Sequence, residues 1–158
     1  MNTIAQVQAV TDVPAAPPLK VTEGAIEFDR MSFHYGKGSG VIDDFSLAIA
    51  PGERVGLVGR SGAGKTTLMN VLLRLFDLEG GRILIDGQDI SKVQQESLRG
   101  QIGVVTQDTS LLHRSVRDNI AYGREGASDE EVANAARRAN AHDYILGLED
   151  AHGRTGYN

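Results

Sequence analysis

From Ala25 onward apolar and polar residues alternate: Ile26 and Phe28 share one face, and after a slip of phase Met31, Phe33 and Tyr35 continue it. That pattern predicts a strand interrupted by a β-bulge. GKGSG supplies a turn, and in VIDDFSLAIAPGE the alternation of Phe45, Leu47 and Ile49 predicts an antiparallel return strand closed by Pro51-Gly52. RVGLVG reads as a short apolar strand of the buried parallel kind. KTTLMNVLLRLFDLEGG reads as a helix with Leu68, Leu72, Leu75 and Phe76 on its inner stripe, stopped by paired glycines. RILIDGQDI is a strand leading into an Asp-Gly turn, QQESLR a brief helical stretch, and IGVVTQ a second apolar strand ending on Gln107, so the predicted sheet is mixed. Ser128 to Glu131 matches a capping box that opens a helix with Val132, Ala135, Ala136 and Ala139 as its apolar stripe. Residues 1–24 are rich in proline and alanine, show neither period, and read as a linker. The pattern is that of an α/β chain.

Between the RVGLVG strand and its helix lies GRSGAGKTT, which fits G-x-x-x-x-G-K-[ST] from Gly59 to Thr66. The context matters as much as the motif. A helix N-terminus supplies unpaired N–H groups and a partial positive charge where phosphates would sit. Gly59, Gly62 and Gly64 allow the backbone to form an anion nest and to approach oxygens without a Cβ in the way. Lys65 brings a point charge to the β- and γ-phosphates, and the Thr66 hydroxyl can ligate Mg²⁺. The candidate cradle is therefore Gly59, Arg60, Ser61, Gly62, Ala63, Gly64, Lys65, Thr66 and Thr67.

Composition narrows the alternatives. The 158 residues carry a formal charge of −5, and the one tight basic pair, Arg137-Arg138, sits in a mixed-charge helix, so nucleic acid is not an expected partner. There is no cysteine, which removes disulfides, thiolate metal sites and cysteine nucleophiles. His34, His113, His142 and His152 have no partner at ligand spacing and read as surface or core residues, while Asp86 and Asp89 read as turn chemistry. No apolar run approaches the roughly 18 to 20 residues that a membrane-spanning helix needs.

Four blocks in fixed order are more diagnostic than the loop alone. IEFDRMSFHYGKG, FSLAIAPGERVGLVGRSGAGKTTL, GRILIDGQDI and SLRGQIGVVTQDTSLLHRSVRDNIAYG resemble the ATP-binding cassette of an exporter-type ABC transporter, from about Gly24 to the last residue. The resemblance implies an incomplete ABC ATPase fold: an antiparallel β subdomain and P-loop NTPase core over residues 25–107, then the start of a helical subdomain over 108–158. It makes Tyr35 the aromatic on which adenine stacks, and Gln107 the Q-loop glutamine serving the Mg²⁺ shell or the attacking water. On the residues alone, Tyr35 is also a hairpin aromatic and Gln107 a polar strand end. Thr106 stands where many exporters carry proline, and Leu112-His113 where many have Phe-Asn, near the surface expected to meet a transmembrane partner.

Equally informative are the family features this sequence lacks: no LSGGQ-type signature, and no Asp-Glu pair closing an apolar strand, since Asp129-Glu130 follows GAS. The resemblance thus implies a cassette cut short before its signature and Walker B segments, one that binds ATP and Mg²⁺ without hydrolysing ATP itself. It also implies a transmembrane domain fused upstream, a second nucleotide-binding domain as homo- or heterodimer partner, and a place at the cytoplasmic face of a membrane. A soluble ABC ATPase and a non-catalytic nucleotide-binding fragment are the other two readings open at this point.

Overall fold

The computed structural model describes residues 10–36, 42–105, 111–149 and 156–157. The chain divides into two compact units, Met1–Val104 and Val105–Asn158.

The first unit is built on β1 (Ile26–Phe33), which lies between β2 (Ile42–Ile49) and β3 (Gly80–Ile85), with β4 (Gln88–Asp89) beyond β3. The predicted bulge is present. Phe28 pairs with Leu47 but Met31 with Phe45, and Asp29 pairs with Arg82 but Ser32 with Gly80, so β1 carries one extra residue against both neighbours. Arg30 takes that residue's place at φ 46, and its amide donates to Ser46 Oγ at 3.0 Å instead of to the ladder. The shift keeps Phe28, Met31 and Phe33 on the buried face, where they meet Leu68, Val71, Leu72, Ile83, Ile85 and Leu98. Met31, Ile83, Leu98 and Val71 are fully buried.

Three expectations from the sequence are corrected. All strand pairs in the described sheet are antiparallel, so the sheet is not mixed. RVGLVG forms no strand, nor do the described residues of IGVVTQ; Val58 is 98% and Val105 95% exposed. An apolar run becomes a strand only when it hydrogen-bonds to a neighbour, and among the described residues the sheet consists of β1 to β4 with neither segment paired to it. Finally, α1 (Lys65–Leu72) stops short of the paired glycines. Its end is a Schellman motif, with Leu75 N–H bonded to Asn70 O and Arg74 N–H to Val71 O, and Arg74 in the left-handed region at φ 50. Leu68 and Leu72 therefore face the core as predicted, whereas Leu75 is exposed.

Arg74 tolerates that conformation because its side chain is over-determined. The buried guanidinium donates to Asp12 Oδ1 (3.0 Å), Val93 O (2.9 Å) and Thr11 O (3.1 Å). Arg99, from α2 (Gln95–Gly100), donates to Leu73 O (3.1 Å) and Arg74 O (2.8 Å) and so caps the last carbonyls of α1.

Residues 10–25 hold no helix or strand before Ile26, yet they are fastened like a strap. At one end Asp12 binds Arg74 and the Gln95 amide; in the middle Leu19 enters the core and Lys20 exchanges hydrogen bonds with the Gln88 side chain. At the other end the Asp86 carboxylate accepts backbone N–H bonds from Thr22 (2.7 Å), Glu23 (3.0 Å), Gly24 (2.9 Å) and Ala25 (2.8 Å). These amides hold the Asp86 carboxyl well below the usual carboxylate range. A depressed carboxylate contributes stability above its unfolded pKa of about 3.9 and loses it only in stronger acid. Amide NMR signals of residues 22–25 are thus expected to hold steady from pH 7 to below 4, whereas Asp86→Ala releases them at pH 7. Unchanged signals in that variant would remove the clasp.

In the second unit, α3 (Val116–Ala121), α4 (Asp129–Arg138) and α5 (His142–Leu146) surround Ala127, Val132, Ala136 and Ile145. The capping box forms as predicted, Ser128 Oγ accepting from the Glu131 amide while Glu131 accepts from the Ser128 amide. Of the predicted stripe, Val132 and Ala136 are buried, but Ala135 and Ala139 are exposed.

Candidate nucleotide-binding site

The glycine loop feeds α1 directly. Gly62 and Gly64 sit at φ 82 and 84, the left-handed conformation that their lack of a Cβ permits. Gly64 is the N-cap of α1 and provides no side chain to satisfy the first-turn amides, nor does that turn contain an acidic residue. The partial positive charge of the helix end is therefore left facing the loop. A Cβ on Gly59 would lie 3.1 Å from Ala63 Cβ and 3.8 Å from Lys65 Nζ, so the loop is closed around the lysine. Lys65 Nζ donates to Gly59 O (2.7 Å) and Arg60 O (2.8 Å), folded back over the loop carbonyls.

Arg60, Ser61 and Thr66 are exposed, and Thr67 is buried with the core side of α1. A cavity of about 330 Å³ opens beside Gly64 and Lys65, walled by Ile42, Asp43, Phe45, Leu57, Val58 and Leu68. Another of about 320 Å³ borders the strap and the C-terminal side of α1 and includes none of the glycine-loop residues. Lys65 and the uncapped helix amides stand at the first cavity, with the Asp43 carboxylate on its wall and the exposed Thr66 hydroxyl at the next position of α1; the loop donors suit a polyphosphate and the hydroxyl suits its divalent cation.

Tyr35 follows β1 and is joined to α1, its hydroxyl accepting from Asn70 Nδ2 at 3.4 Å. Its ring makes edge contacts with Phe33 (4.9 Å) and Phe76 (5.3 Å), leaving it 50% exposed. A rigid, half-exposed aromatic suits base stacking. Gln107 lies outside the described residues. Asp129-Glu130 opens α4, as expected of a helix start. Sequence reading missed His34, whose ring lies between Glu79 (2.6 Å) and Asp43 (3.0 Å). Nothing in the local sequence announces Glu79, 45 residues away.

Compared with known proteins, residues 42–154 match the ABC transporter family. The chain belongs to the ABC transporter family. Relatives of this cassette include an ABC transporter ATP-binding protein of Haemophilus influenzae, 55% identical over the whole chain and 26% of the relative. Human ATP-binding cassette sub-family B member 6 is 46% identical over 90% of the chain and 17% of its own length. The beta-(1→2)glucan export ATP-binding/permease protein NdvA of Rhizobium johnstonii is 50% identical over 84% and 22%. A solved bacterial Atm1-family ABC exporter with ATP bound superposes with a TM-score of 0.85 at 44% identity, covering 96% of this chain and 26% of that one. The cassette chain thus spans about a quarter or less of the length of these relatives, and its mixed α/β fold is that of an ABC ATPase.

Proposed function

We propose that the chain is the ATP-holding part of an exporter cassette, and that in the intact protein it couples ATP binding and hydrolysis to export across a membrane. The observation that carries this reading is the closed glycine loop on the uncapped N-terminus of α1, with Lys65 inside it. The loop amides and Lys65 would hold the phosphates, Thr66 and Gln107 would face Mg²⁺, and Tyr35 would stack on adenine. Bound Mg²⁺ would neutralise charge on the phosphates. The export and permease names of the relatives favour an exporter over a soluble ABC ATPase, with a transmembrane domain and a second nucleotide-binding domain as partners at the cytoplasmic face.

Turnover needs a polarised water and a site closed by the second domain's signature. The 158 residues include neither the glutamate after an apolar strand nor LSGGQ. Titration with a fluorescent ATP analogue and Mg²⁺ is therefore expected to show saturable binding, weakened less by Tyr35→Ala than by removal of Lys65. A phosphate-release assay on the same sample is expected to stay at background. Steady hydrolysis abolished by Lys65→Ala would overturn the holding-only reading.

A further inference from the structure

The His34 contacts set a constraint that the nucleotide reading does not use. Nδ1 meets Glu79 Oε2 at 2.6 Å and Nε2 meets Asp43 Oδ1 at 3.0 Å, with the side chain 26% exposed. A neutral imidazole carries one N–H and can donate to only one of them; two carboxylates at hydrogen-bond distance from the two nitrogens require the imidazolium. The ring also closes one end of the sheet. Asp43 belongs to β2, His34 follows β1, and Glu79 precedes β3, its amide donating to Ser32 O.

We propose that His34 is a positioning residue for the nucleotide, a charged clamp that fixes the Tyr35 platform and masks Asp43 while protonated and releases both when neutral. This rests on the reading of the glycine loop and Tyr35 as a nucleotide site. Tyr35 is the next residue, and the loop that supplies Glu79 also supplies Phe76, against which the Tyr35 ring packs at 5.3 Å. Releasing Glu79 from His34 therefore loosens Tyr35 itself and the Phe76 wall of the platform, while the Phe33 wall stays fixed in the core of β1. Asp43 acts in the same direction, because it lines the cavity that holds Gly64 and Lys65. With His34 neutral, its carboxylate stands uncompensated beside the place for phosphates.

Among the described residues, the charged side chains bonded to the ring are Asp43 from β2 and Glu79 from the loop before β3; Lys65 of α1 lines the cavity that Asp43 shares. The Glu79 hydrogen bond first, and Asp43 after it, raise the His34 pKa above its ordinary value against the opposing effect of burial. A raised pKa keeps the clamp closed below about 6.5 and opens it as pH climbs through the raised value.

The test follows binding of the fluorescent ATP analogue with Mg²⁺ from pH 6 to 9, for the wild-type chain and His34→Gln, beside NMR of the His34 and Tyr35 rings. Wild-type affinity is expected to fall about three- to tenfold as His34 loses its proton, because the charge-assisted contacts that hold Glu79 and Asp43 go with it. His34→Gln is expected to bind at the weaker level with only the pH slope of the nucleotide itself. The Tyr35 ring signals are expected to move with His34 in the wild type, which keeps the clamp testable if the variant folds poorly. Identical pH slopes in the two proteins, or Tyr35 signals static through the His34 titration, would overturn the proposal. If instead no nucleotide binds at any pH and Lys65→Ala changes nothing, the nucleotide reading falls, and the affinity role of His34 falls with it; coupled Tyr35 and His34 signals would then show a clamp that serves the sheet end alone.

Discussion

Lys65→Ala is expected to weaken Mg-ATP binding by roughly ten- to a hundredfold, the equivalent of a charge-assisted contact worth about 1.5 to 3 kcal/mol. The effect has two sources. The variant removes the ammonium that would meet the β- and γ-phosphates, leaving backbone dipoles only. It also deprives Gly59 O and Arg60 O of the donor that folds the loop over itself, so the loop amides lose part of their preset direction. The core should be untouched, since Lys65 stands at the helix start and Leu68, Val71 and Leu72 carry the packing of α1. Equilibrium titration at fixed Mg²⁺, with a thermal melt to verify the fold, measures both halves; a change under twofold would mean that the phosphates bind elsewhere.

Gly81→Ala is expected to cost the first unit about 3 kcal/mol or more. Gly81 lies opposite the bulge of β1 at φ 70, and a Cβ there would sit 2.3 Å from Arg30 O and 2.5 Å from Asp29 O. Those are backbone atoms held on both sides by ladders, so relief requires β1 and β3 to separate just where Met31 and Ile83 are fully buried. Gly87 provides the control. Its φ of 73 is nearly the same, but nothing lies within 4 Å of an added Cβ, so Gly87→Ala should cost only about 1 kcal/mol from the left-handed conformation. Urea melts of the two variants separate strain from collision, and equal midpoints would show that the bulge yields.

Local signals were readable and distant ones were not. The change of phase after Phe28 announced the bulge, Asp86-Gly87 the turn, and Ser128 with Glu131 the capping box, because each feature is specified within a few residues. The glycine loop was legible for the same reason. RVGLVG and the described residues of IGVVTQ misled because hydrophobicity states a wish for burial and does not name the strand that will pair. The end of α1 was hidden because a left-handed Arg74 depends on Asp12, Thr11 and Val93. His34 was hidden because its meaning lies with Glu79.

The strap has a consequence for the order in which the chain takes shape. β1 and β2 can pair once residue 49 is made, because their partners are near neighbours in sequence. Residues 10–25 find their partners at Arg74, Asp86, Gln88, Gln95 and Ser97, between 61 and 85 positions further on. On a ribosome, then, the earliest of these residues to emerge are among the last to be secured, and until residue 97 has left the exit tunnel their amides and the side chain of Leu19 stand open to chaperones and proteases.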